Sequence, residues 1–122
     1  MRHHEQIKLS KKCIAAVSKK DEKTVMDELS GAGEILTLLR DYDHFADTNG
    51  EIDGFTIIRV IFSDSDNQFS IEVYYTVTYY FGCADMNQVR EEEMVIEIDI
   101  NPQTNEAVLI GENEEKREPD DF

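Results

Sequence analysis

Phe69-Ser70-Ile71-Glu72-Val73-Tyr74-Tyr75-Thr76-Val77-Thr78-Tyr79-Tyr80-Phe81 alternates without a break. Phe69, Ile71, Val73, Tyr75, Val77, Tyr79 and Phe81 fall on one side of an extended chain. Ser70, Glu72, Tyr74, Thr76, Thr78 and Tyr80 fall on the other. A period of two belongs to a strand with one face on a core and one face in water. The valines, threonines and tyrosines suit a pleated, half-buried surface. At about 3.3 Å per residue such a strand spans ~43 Å, long enough that twisting, bending or a bulge is expected.

The segments on either side extend the pattern. Met94, Ile96, Ile98 and Ile100 alternate with Val95, Glu97 and Asp99, which predicts a second strand. Asn101-Pro102-Gln103-Thr104-Asn105 is a tight connection, and Ala107–Ile110 returns as a last strand. Upstream, Phe55–Phe62 is apolar apart from Thr56 and Arg59, the composition of a central strand or of one covered on both faces. Ser63–Asn67 is a turn cluster, and residues 41–54 and 82–90 are expected as loops.

Before residue 41 the period is helical. Leu9, Cys13 and Ala16, widened by Ile7, Ile14 and Val17, predict a helix over residues 5–20. Asp21 is placed to cap a second helix through Val25, Met26 and Leu29. Ser30, Gly31 and Gly33 punctuate it, and Ile35, Leu38, Leu39 and Tyr42 give a third.

The expected fold is therefore α+β, with two to three N-terminal helices packed on a curved antiparallel sheet of about four strands. The helices would cover the face carrying Ile71, Val73, Tyr75, Val77, Ile96 and Ile98. This order of elements resembles the cystatin-like and NTF2-like layouts, which implies a single curved sheet with its helices on one side. One domain is expected over residues 1–111, with 112–122 as a solvated acidic tail.

Charge is unevenly placed. Residues 1–40 hold eight Lys/Arg and six Asp/Glu, a balance of +2. Residues 41–122 hold four and twenty-one, a balance of −17. The acid concentrates in residues 41–53, 85–93 and 112–121 and on the polar side of the strands. Such a surface attracts basic partners and repels nucleic acid and anionic membranes. The lysines at 8, 11, 12, 19 and 20 flank the first apolar stripe and are too few to hold a phosphate backbone.

Chemical motifs are sparse. Asp47-Thr48-Asn49-Gly50-Glu51-Ile52-Asp53 resembles the middle of an EF-hand calcium loop. With Gly50 sixth, Phe45 and Thr56 fall at the first and twelfth positions, where carboxylates are needed. An acidic turn is expected there, and no metal or cofactor. His44 lies near Asp43 and Asp47, but no nucleophile or oxyanion motif accompanies it. Cys13 and Cys83 are expected as reduced thiols. No signal peptide or spanning segment precedes the domain, so a cytoplasmic location is expected.

The polar strand face is the candidate site. Glu72, Tyr74, Tyr80, Glu97 and Asp99 share it if the strands are neighbours, with Asp41, Asp43, Asp47, Glu91 and Glu92 supplying acidic loops. Tyrosine offers large contact area with a polar tip, and carboxylates accept paired bonds from arginine. In general character the chain resembles toxin immunity proteins and phage anti-defence inhibitors, anti-CRISPR proteins among them, many of which are nucleic-acid mimics in their charge. The implied partner is a basic protein such as a nuclease or nucleic-acid-binding complex, met by a non-enzymatic monomer or homodimer. The alternative is a ligand-binding or enzymatic pocket between helices and sheet, using Tyr75, Tyr79, His44 or Arg59.

Overall fold

The computed structural model describes residues 3–41, 50–80 and 87–112. It contains three helices and a five-stranded sheet, in the order β1 (His4–Lys8), α1 (Lys11–Lys19), α2 (Glu22–Leu29), α3 (Gly33–Asp41), β2 (Gly50–Phe62), β3 (Gln68–Tyr80), β4 (Asn87–Asn101) and β5 (Glu106–Ile110). The sheet order is β1-β5-β4-β3-β2 and every pairing is antiparallel. The fold is α+β, with five strands where about four were expected.

The added strand is β1. Residues 5–9 were expected inside the first helix, because Leu9, Cys13 and Ala16 keep helical spacing. The chain is instead extended there, pairing His4–Lys8 with Ile110–Glu106. Only Ile7 and Leu9 turn into the core, a two-residue alternation too short to outweigh the helical stripe. Ser10 marks the switch. Its Oγ accepts the Cys13 N–H at 3.1 Å, a side-chain cap of the kind that stabilises a helix by about 1 kcal/mol. Glu28 of α2 then accepts both the Ser10 N–H (3.0 Å) and its hydroxyl (2.5 Å), which ties the start of α1 to its neighbour. Asp21 caps α2 as expected, accepting from Thr24.

The central pair is the most regular part of the molecule. β3 and β4 run in unbroken register from Gln68 opposite Asp99 to Tyr80 opposite Asn87. Residues 87–90, expected in a loop, are the first residues of β4. The irregularity expected of so long a strand lies in its partner. β2 carries one extra residue between Ile52 and Phe55 and another between Ile57 and Arg59, with Gly54 inside the first bulge. β2 begins at Gly50 and is an edge strand, not a central one. Its apolar run deceived because the second bulge resets the alternation, leaving Ile58 and Ile61 exposed.

One core lies between helices and sheet. Val25, Leu29, Ile35, Leu38 and Leu39 from the helices meet Ile71, Val73, Met94, Ile96, Ile98 and Leu109 from the strands. Most of these side chains are fully buried, each worth about 1.5–3 kcal/mol relative to exposure. Among the described residues no buried side chain is charged.

Helix side chains also close the outer edge of β2. Glu22 of α2 accepts the Val60 N–H at 2.8 Å, and Arg40 of α3 donates to the Ile52 carbonyl at 3.2 Å. Open strand edges invite further pairing, and charged groups placed on them prevent it.

Candidate partner-binding face

The same alternation that buries one side of the sheet lays out the other. Across it the register aligns Arg59, Glu72 and Val95; Thr56, Tyr74 and Glu93; Thr76 and Glu91; Ile61, Ser70, Glu97 and Ile110; and Gln68, Asp99 and Val108. Among the described residues no helix crosses this face. Glu91, Glu93 and Glu97 are exposed, while Glu72, Tyr74 and Asp99 are half-buried by their neighbours. Ile58, Ile61 and Val89 stand out as large apolar groups left exposed.

Tyr74 is at the centre of the acid. Its direct cross-strand partner is Glu93, and its phenol donates to Glu91, which stands two pairs further along, opposite Thr76. Burial by its surroundings and then the Glu91 and Glu93 carboxylates hold the Tyr74 hydroxyl above its ordinary value of 10. It therefore stays a neutral donor throughout the physiological range. Glu72 is held by Arg59 at 2.9 Å, an exposed pair worth about 0–1 kcal/mol that fixes position more than it stabilises. Glu72 is diagonal to Glu93 and Glu97 on the next strand, a spacing of about 7–8 Å that is comparable with the ~8 Å screening length of physiological salt, so their fields add.

The expected site residues are thus only partly assembled. Glu72, Tyr74, Glu91, Glu97 and Asp99 share one face. Glu92 does not. It points to the opposite side, where it pairs with Arg90 at 2.7 Å. The parity set by Met94 and Ile96 dictates this, since residue 92 is in phase with 94. Extending that parity would also have found Glu93, which takes the place opposite Tyr74. Asp41 ends α3, in the helix layer. Tyr80 ends β3 opposite Asn87, and its side chain lies outside the described residues, as do Asp43 and Asp47 entirely.

The positions suggested for a pocket are dispersed. Tyr75 is a core residue at 5% exposure, and Arg59 lies on the outer face. His44 and the Tyr79 side chain fall outside the described residues. An open cleft of about 260 Å³ lies on the surface between the α2–α3 turn and β2, lined by Ser30, Gly31, Ala32, Gly33, Leu36, Gly54 and Phe55. It contains no ionisable side chain. Cys13 is a free, buried thiol whose pKa is pushed up to about 12 by burial and then by Glu28, which removes its nucleophilicity.

Among the described residues no His, Cys, Asp and Glu side chains cluster to hold a metal ion, and Gly50–Asp53 of the EF-hand-like stretch open β2. Also among them, no helix is long and apolar enough to cross a membrane. Comparison with protein-family models, curated proteins and solved structures finds no match, so the chemistry of this face is read from its own residues.

Proposed function

We propose that this chain is a small acidic binding protein that inhibits a basic, nucleic-acid-acting protein, in the manner of toxin immunity or phage anti-defence proteins. The observation that supports this reading is the composition of the uncovered sheet face. Glu72, Glu91, Glu93, Glu97 and Asp99 surround half-buried Tyr74, with Ile58, Ile61 and Val89 exposed near them. Carboxylates held in rows on a rigid sheet stand where phosphates would in a cationic cleft. Tyr74 supplies an aromatic anchor with a neutral hydroxyl, and the exposed aliphatic groups add contact area. Long-range attraction speeds the encounter, and wrong partners of like charge are refused. Residence in the cytoplasm, where such enzymes act, belongs to the same proposal.

The test begins with recovery of the partner from the native host on immobilised full-length chain, eluted by salt. The recovered protein should be basic, and its association rate should fall at least tenfold between 0.05 and 0.5 M salt, roughly as expected for steered association. Glu91→Gln with Glu93→Gln should slow association at unchanged fold. An association rate indifferent to salt and to both substitutions would sink the reading.

A further inference from the structure

β4 is much longer than the strand beside it. β3 accompanies it from Asn87 to Asp99, but β5 pairs only with Glu97–Asn101. On the β5 side, the backbone next to Val95 meets a side chain instead of a strand. The Val95 N–H donates to Glu112 Oε2 at 2.9 Å. In an antiparallel ladder successive residues direct their N–H and C=O groups to opposite neighbours. Ile100, of the other parity, bonds towards β3 through the Asn67 carbonyl, as this requires. Val89, Glu91 and Glu93 therefore direct their backbone groups outward, on the same side as Val95. Among the described residues no strand lies alongside them there.

We infer that the β4 edge from Val89 to Glu93 receives an extended, basic segment of a protein partner as an added strand. This rests on the reading of the chain as a binder of basic protein and names how part of that partner is held. The partner's backbone bonds to the outward N–H and C=O groups of Val89, Glu91 and Glu93. Its alternate side chains, lysine or arginine, meet the Glu91 and Glu93 carboxylates on the open face. Strand addition draws affinity from the main chain and specificity from alternate side chains.

Charge decides which occupant fits. A second copy pairing β4 with β4 about a two-fold axis at Glu91 would set glutamate against glutamate, which is destabilising. A neutral strand gains nothing from the acid. A basic strand gains on each alternate residue. The contrast with β2 is direct, since that edge already carries Glu22 on the Val60 N–H and Arg40 on the Ile52 carbonyl.

The experiment uses the full chain and two synthetic peptides. One is seven residues of alternating lysine and valine. The other has the same sequence with every backbone amide N-methylated, so that charge is kept and strand pairing is lost. With the first peptide at millimolar concentration, amide exchange at Val89, Glu91 and Glu93 should slow at least tenfold. The methylated peptide should bind at least tenfold more weakly. Equal binding of the two would overturn the edge while leaving charge attraction intact. Binding of neither would overturn both. Slow exchange at those amides before any peptide is added would also overturn it, because the edge would already be taken. Dependence on protein concentration would then identify a second copy, and independence the chain's own residues after Glu112.

Discussion

Ile71, Val73, Tyr75 and Val77 alternate along β3 with Glu72, Tyr74, Thr76 and Thr78, yet the two sets live in different solvents. The first is 0–5% exposed beneath the helices. The second lies on a face that no described helix covers. One backbone thus carries two separable tasks. The inner set anchors the helices, and its chemistry is restricted to what a dry, close-packed interior tolerates. The outer set contributes little to packing, so acid accumulates there without burying a charge. A strongly acidic protein can keep a conventional core because parity, not distance along the chain, separates the two.

Adjacent residues on opposite faces give the sharpest way to break that comparison. Met94 is 1% exposed, and Met94→Ala should cost about 2–5 kcal/mol in denaturant unfolding. Glu93 is exposed on the other face, and Glu93→Gln should stay within about 0.5 kcal/mol of the parent. Similar losses at both positions would mean that the outer face is packed against something, and the separation of tasks would fail.

The edges test the comparison with smaller effects. Removing the carboxylate in Glu22→Ala leaves the Val60 N–H to water on the outer side of β2, and about 1 kcal/mol should be lost. Amide exchange at Val60 should accelerate with it; no change there would show that the bond does not guard the edge. Lys20, which caps α1, is held at φ 58°, ψ 42°, donating its N–H to the Ala16 and Val17 carbonyls. A side chain at left-handed angles costs about 1 kcal/mol, and glycine avoids it. Lys20→Gly should therefore raise stability by roughly 0.5–1 kcal/mol, less than the strain because glycine also frees the unfolded chain. A loss instead would mean that the Lys20 Nζ bond to the Ser63 carbonyl matters more than its 3.4 Å length suggests.

How much of this was legible follows from the lengths of the patterns. Thirteen alternating residues from Phe69 to Phe81 and four apolar residues at spacing two in β4 leave little choice of period, and the helix cap at Asp21 and the Ile35–Leu39 stripe are equally plain. β1 was not legible, because five residues with one buried side chain cannot outvote a helical stripe that starts within it. Phe55–Phe62 of β2 reads as central or as covered on both faces because composition records apolar residues but not bulges, and each bulge reverses which side faces inward. In the candidate site, Glu72, Tyr74, Glu97 and Asp99 followed from alternation alone. Glu92 was misplaced and Glu93 missed because a run of three glutamates invites a loop reading, although the phase of Met94 already fixed their faces. The Glu22, Arg40 and Glu112 contacts had no sequence signal, since each joins a side chain to backbone brought near only by the tertiary fold.

The finest test concerns one proton on the outer face. Tyr74 has its pKa raised in the folded chain by its surroundings and by Glu91 and Glu93. For a phenol the neutral form is the one favoured by folding. Its contribution to stability is complete below the unfolded value, near 10, and is lost as pH rises from there through the higher folded value. Glu91→Gln removes the nearest negative charge and weakens the acceptor, so the Tyr74 titration followed by NMR should move down towards 10 while the fold persists. If Tyr74 titrates at the same pH with and without the Glu91 carboxylate, the hydroxyl is not organised by the acidic rows. It would then lack the preorganised, neutral donor that the proposed contact with a cationic partner assigns to it.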